Sequence, residues 1–189
     1  MADSRFAMTE PDELPEDLRE RVGEIARRSG FVPNIFRALG HRPAELRAFL
    51  DYHDALMDRP DGLTKAEREL VVVATSAANH CLYCIVAHGA ILRIRSGDSQ
   101  LADRVAASPW QARLDDRGRA ITDLALALVR APELFGDADI ARARSAGLTD
   151  DEIWDVGSIT ALFAMSNRLA HLTALQPNDE FYLMGRIRR

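Results

Sequence analysis

Residues 64–88 run TKAERELVVVATSAANHCLYCIVAH. Two helices are written in this stretch. Thr64, followed three residues later by Glu67, forms a capping box, in which hydroxyl and carboxylate each satisfy a free backbone N–H at a helix start. Leu70 to Ala78 is almost wholly apolar or small, which predicts a helix buried on most of its sides. Asn79 is a favourable N-cap and predicts a second helix from Cys81 to Arg95, broken at Gly97-Asp98.

The same period extends in both directions. Leu18, Val22, Ile25 and Ala26 share one face of a helix that ends near Gly30. Pro33 to Leu39 suits a short helix closed by Gly40, and Pro43 opens another with Leu46, Phe49, Leu50 and Leu56 inward. Beyond the core, Asp98 caps a short helix ending before Pro109, and Asp115 to Val129 is a further helix. A break near Pro132 and Gly136 precedes a helical stretch, Ile140 to Ala146, stopped by Gly147. Thr149 starts another helix, and 178–188 holds a last short one. No segment alternates with period two for long enough to make a strand. The fold class is therefore all-α, a helical bundle in one domain over 1–189, with 1–14 as an N-terminal arm.

An internal echo accompanies this pattern. Gly62-Leu63-Thr64-Lys65-Ala66-Glu67 resembles Gly147-Leu148-Thr149-Asp150-Asp151-Glu152, at an offset of 147 − 62 = 85 residues. At that offset Cys81 faces Ser166, Cys84 faces Leu169, His88 faces Thr173 and Glu69 faces Trp154. Either a helical unit is duplicated, with 62–95 as the redox-active core and 147–175 as a non-catalytic second copy, or two capped, alanine-rich helices look alike.

Composition bounds the function. The chain has 189 residues, 47% hydrophobic and 28% charged, ordinary values for one globular domain with a sizeable core. A net charge of −5 argues against a nucleic-acid partner, which would call for a basic face. No apolar run is long enough to cross a bilayer, and the N-terminus lacks the layout of a signal peptide, so no membrane partner and a cytoplasmic location are expected. The basic end Arg186-Ile187-Arg188-Arg189 reads as a solvated terminus. In that setting a cysteine pair three residues apart points to redox or metal chemistry rather than a structural staple.

Cys81, Cys84 and His88, at spacings of three and four, fall within an arc of roughly 60° if they share one regular helix. His88 lies one turn beyond Cys84, where it can take that thiol's proton, which makes Cys84 the nucleophile and Cys81 the resolving thiol. A helix N-terminus at Asn79 would instead favour Cys81, whose thiolate the helix dipole stabilises. Glu69 precedes the break, and packed beside the second helix it could orient His88. Zinc held by both cysteines, His88 and one of His80, His53 or Glu69 is an alternative, although a regular helix suits a closed tetrahedral site poorly. A redox-sensing helical protein without turnover is a second. His41, His53 and His171 have no partner suggested by the sequence. Trp110 and Trp154 read as core or interface residues, and Asn167-Arg168 as structural.

Glutamate, eleven residues, Cys-x-x-Cys, three residues, histidine (Glu69, Cys81-Leu82-Tyr83-Cys84, His88) resembles the signature of the AhpD-like alkylhydroperoxidases of the carboxymuconolactone decarboxylase superfamily. Gly30-Phe31-Val32-Pro33-Asn34 and Asn167-Arg168-Leu169-Ala170 resemble its peroxidase-related branch. The resemblance implies an all-helical oxidoreductase, a thiol-dependent peroxidase needing no haem, flavin or other cofactor. It implies that Cys84 attacks a hydroperoxide, that Cys81 closes a disulfide, and that Glu69 and His88 relay the proton through a water. A dithiol protein, lipoyl or thioredoxin-like, would reduce the disulfide, and the chain would assemble as a trimer or hexamer. Tyr83 departs from the histidine that the best-known members carry between the cysteines; a phenol is a poor base at neutral pH.

Overall fold

A computed structural model describes residues 3–186. Those residues contain helices and no strand. Three helices form the N-terminal layer: α1 (Glu16–Ser29), α2 (Asn34–Leu39) and α3 (Pro43–Met57). Gly30, with φ of 88°, ends α1 in the left-handed conformation that glycine adopts without a Cβ penalty. Leu18, Val22, Leu46 and Leu50 close this layer into its own small core.

The centre is α4 (Lys65–Ala78). Every residue from Arg68 to Ser76 is buried, because α5 (Leu82–Ser96), α6 (Leu101–Ala107), α7 (Asp116–Arg130) and α9 (Asp150–Thr173) pack around it. Each Val or Leu so enclosed contributes roughly 1.5–3 kcal/mol of transfer free energy. The short α8 (Asp137–Ser145) and α10 (Glu180–Leu183) cover α7 and α5 respectively.

Both anticipated capping boxes form. Thr64 Oγ1 accepts from Glu67 N at 3.2 Å and Thr149 Oγ1 from Glu152 N at 3.3 Å, and each glutamate returns to its threonine N–H. The equivalent carboxylates, Glu67 and Glu152, share one partner: Arg117 of α7 donates to them at 2.6 and 2.5 Å. Arg68, fully buried on α4, gives no periodic signal of its role. It donates to the carbonyls of Leu63, Leu56 and Asp61 and so fixes the α3–α4 connection. Gly62, in that connection, has φ of 72° and lies against Asp155, where a Cβ would come within 2.9 Å of the carboxylate.

One expectation is corrected. Asn79 caps the end of α4 and does not start α5; the N-cap of α5 is Cys81. The chain reverses between them through His80, at φ of 53°. Trp110 and Trp154 lie outside the core, which removes the first of the two readings given them, core or interface: they are 59% and 73% exposed, with Arg130 stacked 4.2 Å over the Trp110 ring. The apolar run Leu70–Ala74 is covered by the chain's own helices, as its composition predicts. Residues 3–14 run as an extended arm with one 3₁₀ turn at Pro11–Glu13. Arg5 N donates to Thr173 O at 2.7 Å, and Thr9 N to Arg37 O at 2.9 Å. Of the basic C-terminal stretch, Ile187, Arg188 and Arg189 lie outside the described residues, while Arg186 pairs with Asp103.

Candidate active site

The reversal at residues 79–81 decides how the two cysteines are presented. Cys81 has extended backbone, φ −83° and ψ 99°, so it does not continue the α5 stripe on which Cys84 and His88 lie. Both thiols are free and buried, but they open in different directions. Cys84 lines a cavity of about 440 Å³ between α1, α3, α5 and α9. Cys81 lines a separate pocket of about 210 Å³, with Arg5, His80 and His171 at its edge.

His88 borders the larger cavity one turn beyond Cys84. Its Nδ1 donates to Glu69 Oε2 at 2.8 Å, and its ring meets Phe163 edge-on at 4.6 Å. Glu69 is buried on α4, and its second oxygen accepts from Arg95 at 3.0 Å. The carboxylate thus lies between two donors, an arrangement that favours the His88 tautomer protonated at Nδ1. Glu69 and His88 are brought together as the sequence suggests. Among the described residues no hydrogen bond links His88 directly to Cys84, and both groups border the same cavity.

The thiols perturb one another. Hydrogen bonding from the Cys84 thiol lowers Cys81 to about 7; burial opposes this, while the Cys84 backbone N–H, His171 and Asn167 assist. Cys84 is held well above the ordinary thiol range, first by its bond to Cys81 and then by burial and the neighbouring charge. One negative charge is therefore shared by the pair and rests on Cys81. Burial also pushes the Tyr83 phenol well above its usual range; its oxygen accepts from Ile35 N at 3.2 Å and ties α5 to α2. Tyr83 is a packing residue here and supplies no base.

Several site residues escaped the sequence pattern. Asn167 is fully buried, donates to Ser76 Oγ at 3.1 Å and accepts from Asn79 Nδ2 at 2.9 Å. It and Ser166 partly oppose the rise at Cys84. The only signal for Asn167 was its place in an Asn-Arg pair within a familiar flank. Arg95, seven residues after His88 on the same face of α5, could have been found by helical period. Three other histidines acquire partners: His41 Nδ1 lies 2.9 Å from Ala38 O, His171 Nε2 donates to Asn79 O at 2.8 Å, and His53 Nδ1 lies 3.0 Å from Asp54 Oδ1. Among the described residues no three His, Cys, Asp or Glu side chains converge so as to hold a metal ion, which gives the zinc alternative no ligand set. No helix among them is long and apolar enough to cross a membrane.

The carboxymuconolactone decarboxylase family profile matches residues 43–131, from α3 through the end of α7. A crystal structure from Ralstonia eutropha JMP134, described as an alkylhydroperoxidase AhpD core and uncharacterized peroxidase-related protein, is 50% identical; it covers 100% of both chains with a TM-score of 0.97. An uncharacterized peroxidase-related protein from Silicibacter sp. TM1040 is 35% identical over 98% of this chain and 97% of its own, with a TM-score of 0.92. The debrominase Bmp8 shares the fold at 15% identity, over 95% of this chain and 96% of its own, with a TM-score of 0.80. No functionally curated protein matches the chain. With near-identical topology over its whole length and the Glu69, Cys81, Cys84 and His88 constellation in place, the chain belongs to the AhpD-like, peroxidase-related group of the carboxymuconolactone decarboxylase family.

Proposed function

We propose that the protein is a thiol peroxidase that reduces organic hydroperoxides at Cys84. The observation that carries this reading is the shared cavity: Cys84 and the Glu69-oriented His88 both open into it, whereas Cys81 faces elsewhere. Cys84 passes its proton to His88 Nε2, through a water, and Glu69 stabilises the resulting imidazolium. The thiolate attacks the terminal peroxide oxygen. The O–O bond breaks, the alkoxide leaves and takes up a second proton, drawn from solvent, to give the alcohol, and Cys84 becomes a sulfenic acid. The Cys81 thiolate then attacks that sulfur and hydroxide departs as water with the proton held by His88, leaving a disulfide. A dithiol protein, lipoyl or thioredoxin-like, returns two electrons.

Cys81 carries the resting charge because it is the better-stabilised thiolate, which suits a resolving group that must attack a sulfenic sulfur. The experiment is sulfenic-acid trapping with a dimedone probe in each single-cysteine variant. Cys81→Ser should accumulate a trapped adduct on Cys84, and Cys84→Ser should give none. The reverse pattern would make Cys81 the peroxidatic residue.

The chain is read as acting in the cytoplasm as a homo-oligomer, a trimer or hexamer. Trp154, Met165 and Leu172 form an exposed apolar stripe along α9, a surface suited to burial against another copy. Sedimentation velocity of the wild type and of Trp154→Glu tests this; a monomeric wild type would refute it. The shared clamp on Glu67 and Glu152 favours a duplicated helical unit, with 147–175 as the copy lacking reactive groups.

A further inference from the structure

The cavity that holds Cys84 contains a second oriented imidazole. His53, on α3, lies with its Nδ1 3.0 Å from Asp54 Oδ1, and Arg21 of α1 donates to the other Asp54 oxygen at 2.7 Å. This repeats the arrangement at His88, where Glu69 is held between the imidazole and Arg95. In both cases a carboxylate, itself paired with an arginine, accepts the hydrogen bond from Nδ1–H, and the ring borders the cavity. Both rings also border Phe163, at 4.6 Å for His88 and 6.3 Å for His53, so their centroids lie within about 11 Å of one another. Phe49 stacks on the other side of His53 at 6.3 Å. The charged groups facing this end of the cavity are Arg21, Glu24 and Arg28 from α1, Asp54 and Asp58 from α3 and the adjoining turn, and His88 from α5.

Two oriented imidazoles match the two proton transfers of peroxide cleavage. One proton leaves the attacking thiol, and another must reach the departing oxygen, which is otherwise expelled as a strongly basic alkoxide. We propose that His53, oriented by Asp54, is the acid that delivers this second proton. The step rests on the peroxidase reading above. Cys84 thiolate, hydroperoxide and His53 imidazolium give Cys84 sulfenic acid, the alcohol and neutral His53; the O–O bond breaks, an S–O bond forms, and the Nε2 proton passes to the alkoxide oxygen directly or through one water. Asp54 offsets the ring's charge while it holds that proton. The side chain is 29% exposed, so solvent restores the proton between turnovers.

The test compares leaving groups in single-turnover disulfide formation by the reduced full-length protein, followed by intact mass. Tert-butyl hydroperoxide expels an alkoxide and needs the acid; peracetic acid expels a carboxylate and does not. His53→Gln should slow the reaction with tert-butyl hydroperoxide about 10- to 100-fold and change that with peracetic acid by less than about threefold. Equal slowing with both oxidants would reduce His53 to a wall of the cavity and overturn the proposal, as would no slowing with either. Asp54→Asn, which keeps the ring and removes its orienting charge, should show the same selectivity at smaller size and stands in should His53→Gln not fold. A wild-type protein inert to both oxidants would remove the peroxidase reading itself, an outcome distinct from loss of selectivity in a reactive enzyme.

Discussion

Replacing Cys84 with alanine isolates what lowers the Cys81 thiol. The Cys84 thiol hydrogen-bonds to the Cys81 sulfur, and the backbone N–H at the start of α5, His171 and Asn167 also act on it. The Cys84 thiol is the largest contributor, and with the others it brings Cys81 from 9.0 to about 7 against the opposing effect of burial. In Cys84→Ala the sulfur remains buried at the same helix end but loses its donor, so its value should return toward 9. At pH 7 about half of the wild-type Cys81 is thiolate; at a value near 9 the fraction is about 1%, a difference of about 50-fold. The assay is the rate of iodoacetamide alkylation between pH 5.5 and 10, read by intact mass. In the variant Cys81 is the sole cysteine and the modified site is unambiguous; in the wild type, peptide mapping assigns it. Below pH 7 both rates should fall tenfold per unit, with the wild-type curve bending near 7 and the variant curve near 9. A variant that still bends near 7 would refute the reasoning and assign the shift to the helix end, His171 and Asn167.

Glu69→Gln replaces a charge-assisted bond to His88, worth roughly 1.5–3 kcal/mol, by a neutral one, and should slow peroxide-driven disulfide formation about 10- to 100-fold with the melting curve little changed. Arg117→Met leaves Glu67 and Glu152 without their common partner; a loss of about 1–3 kcal/mol in urea unfolding at constant m-value is expected, and an unchanged midpoint would show that the pair of caps is self-sufficient. Asn167→Ala strands the polar groups of Ser76 and Asn79, at a cost of about 1–3 kcal/mol, and should also raise the pH at which Cys81 is alkylated. Asp54 is held at about 2, first by His53 and then by Arg21. Because this lies below its unfolded value, the stabilisation is complete above the usual carboxylate range and fades as pH falls toward 2. Acid unfolding of Asp54→Asn, measured by circular dichroism, should lack that part of the pH dependence; identical acid curves would contradict the assignment.

The helices were legible where the signal is local. Thr64 and Thr149 announce their caps within four residues, and Leu70–Ala74 announces a helix enclosed on all sides. The start of α5 was misplaced because Asn79 has the side chain of an N-cap, while its position is dictated by the chain reversal through left-handed His80. That two-residue shift changes the chemistry, since it takes Cys81 off the stripe shared by Cys84 and His88. The Glu69–His88 pair could be suggested from sequence because the two helices are consecutive and pack side by side. Asn167 could not, lying 88 residues from Asn79, and neither could the Arg21–Asp54 pair, 33 residues apart. Hydrogen-bond partners separated this far leave no periodic trace, and only the folded bundle brings them together.

The opposite outlooks of the two sulfurs have a kinetic consequence. A disulfide between Cys81 and Cys84 would stand as a partition, with one face toward the cavity bordered by His88 and the other toward the pocket edged by Arg5, His80 and His171. Oxidant and reductant would then arrive through separate doors, each attacking or being attacked at its own sulfur. Neither substrate need vacate its place for the other. Steady-state turnover should therefore give parallel reciprocal plots, as any double-displacement scheme does, yet lack the mutual substrate inhibition that appears when both reactants compete for a single entrance.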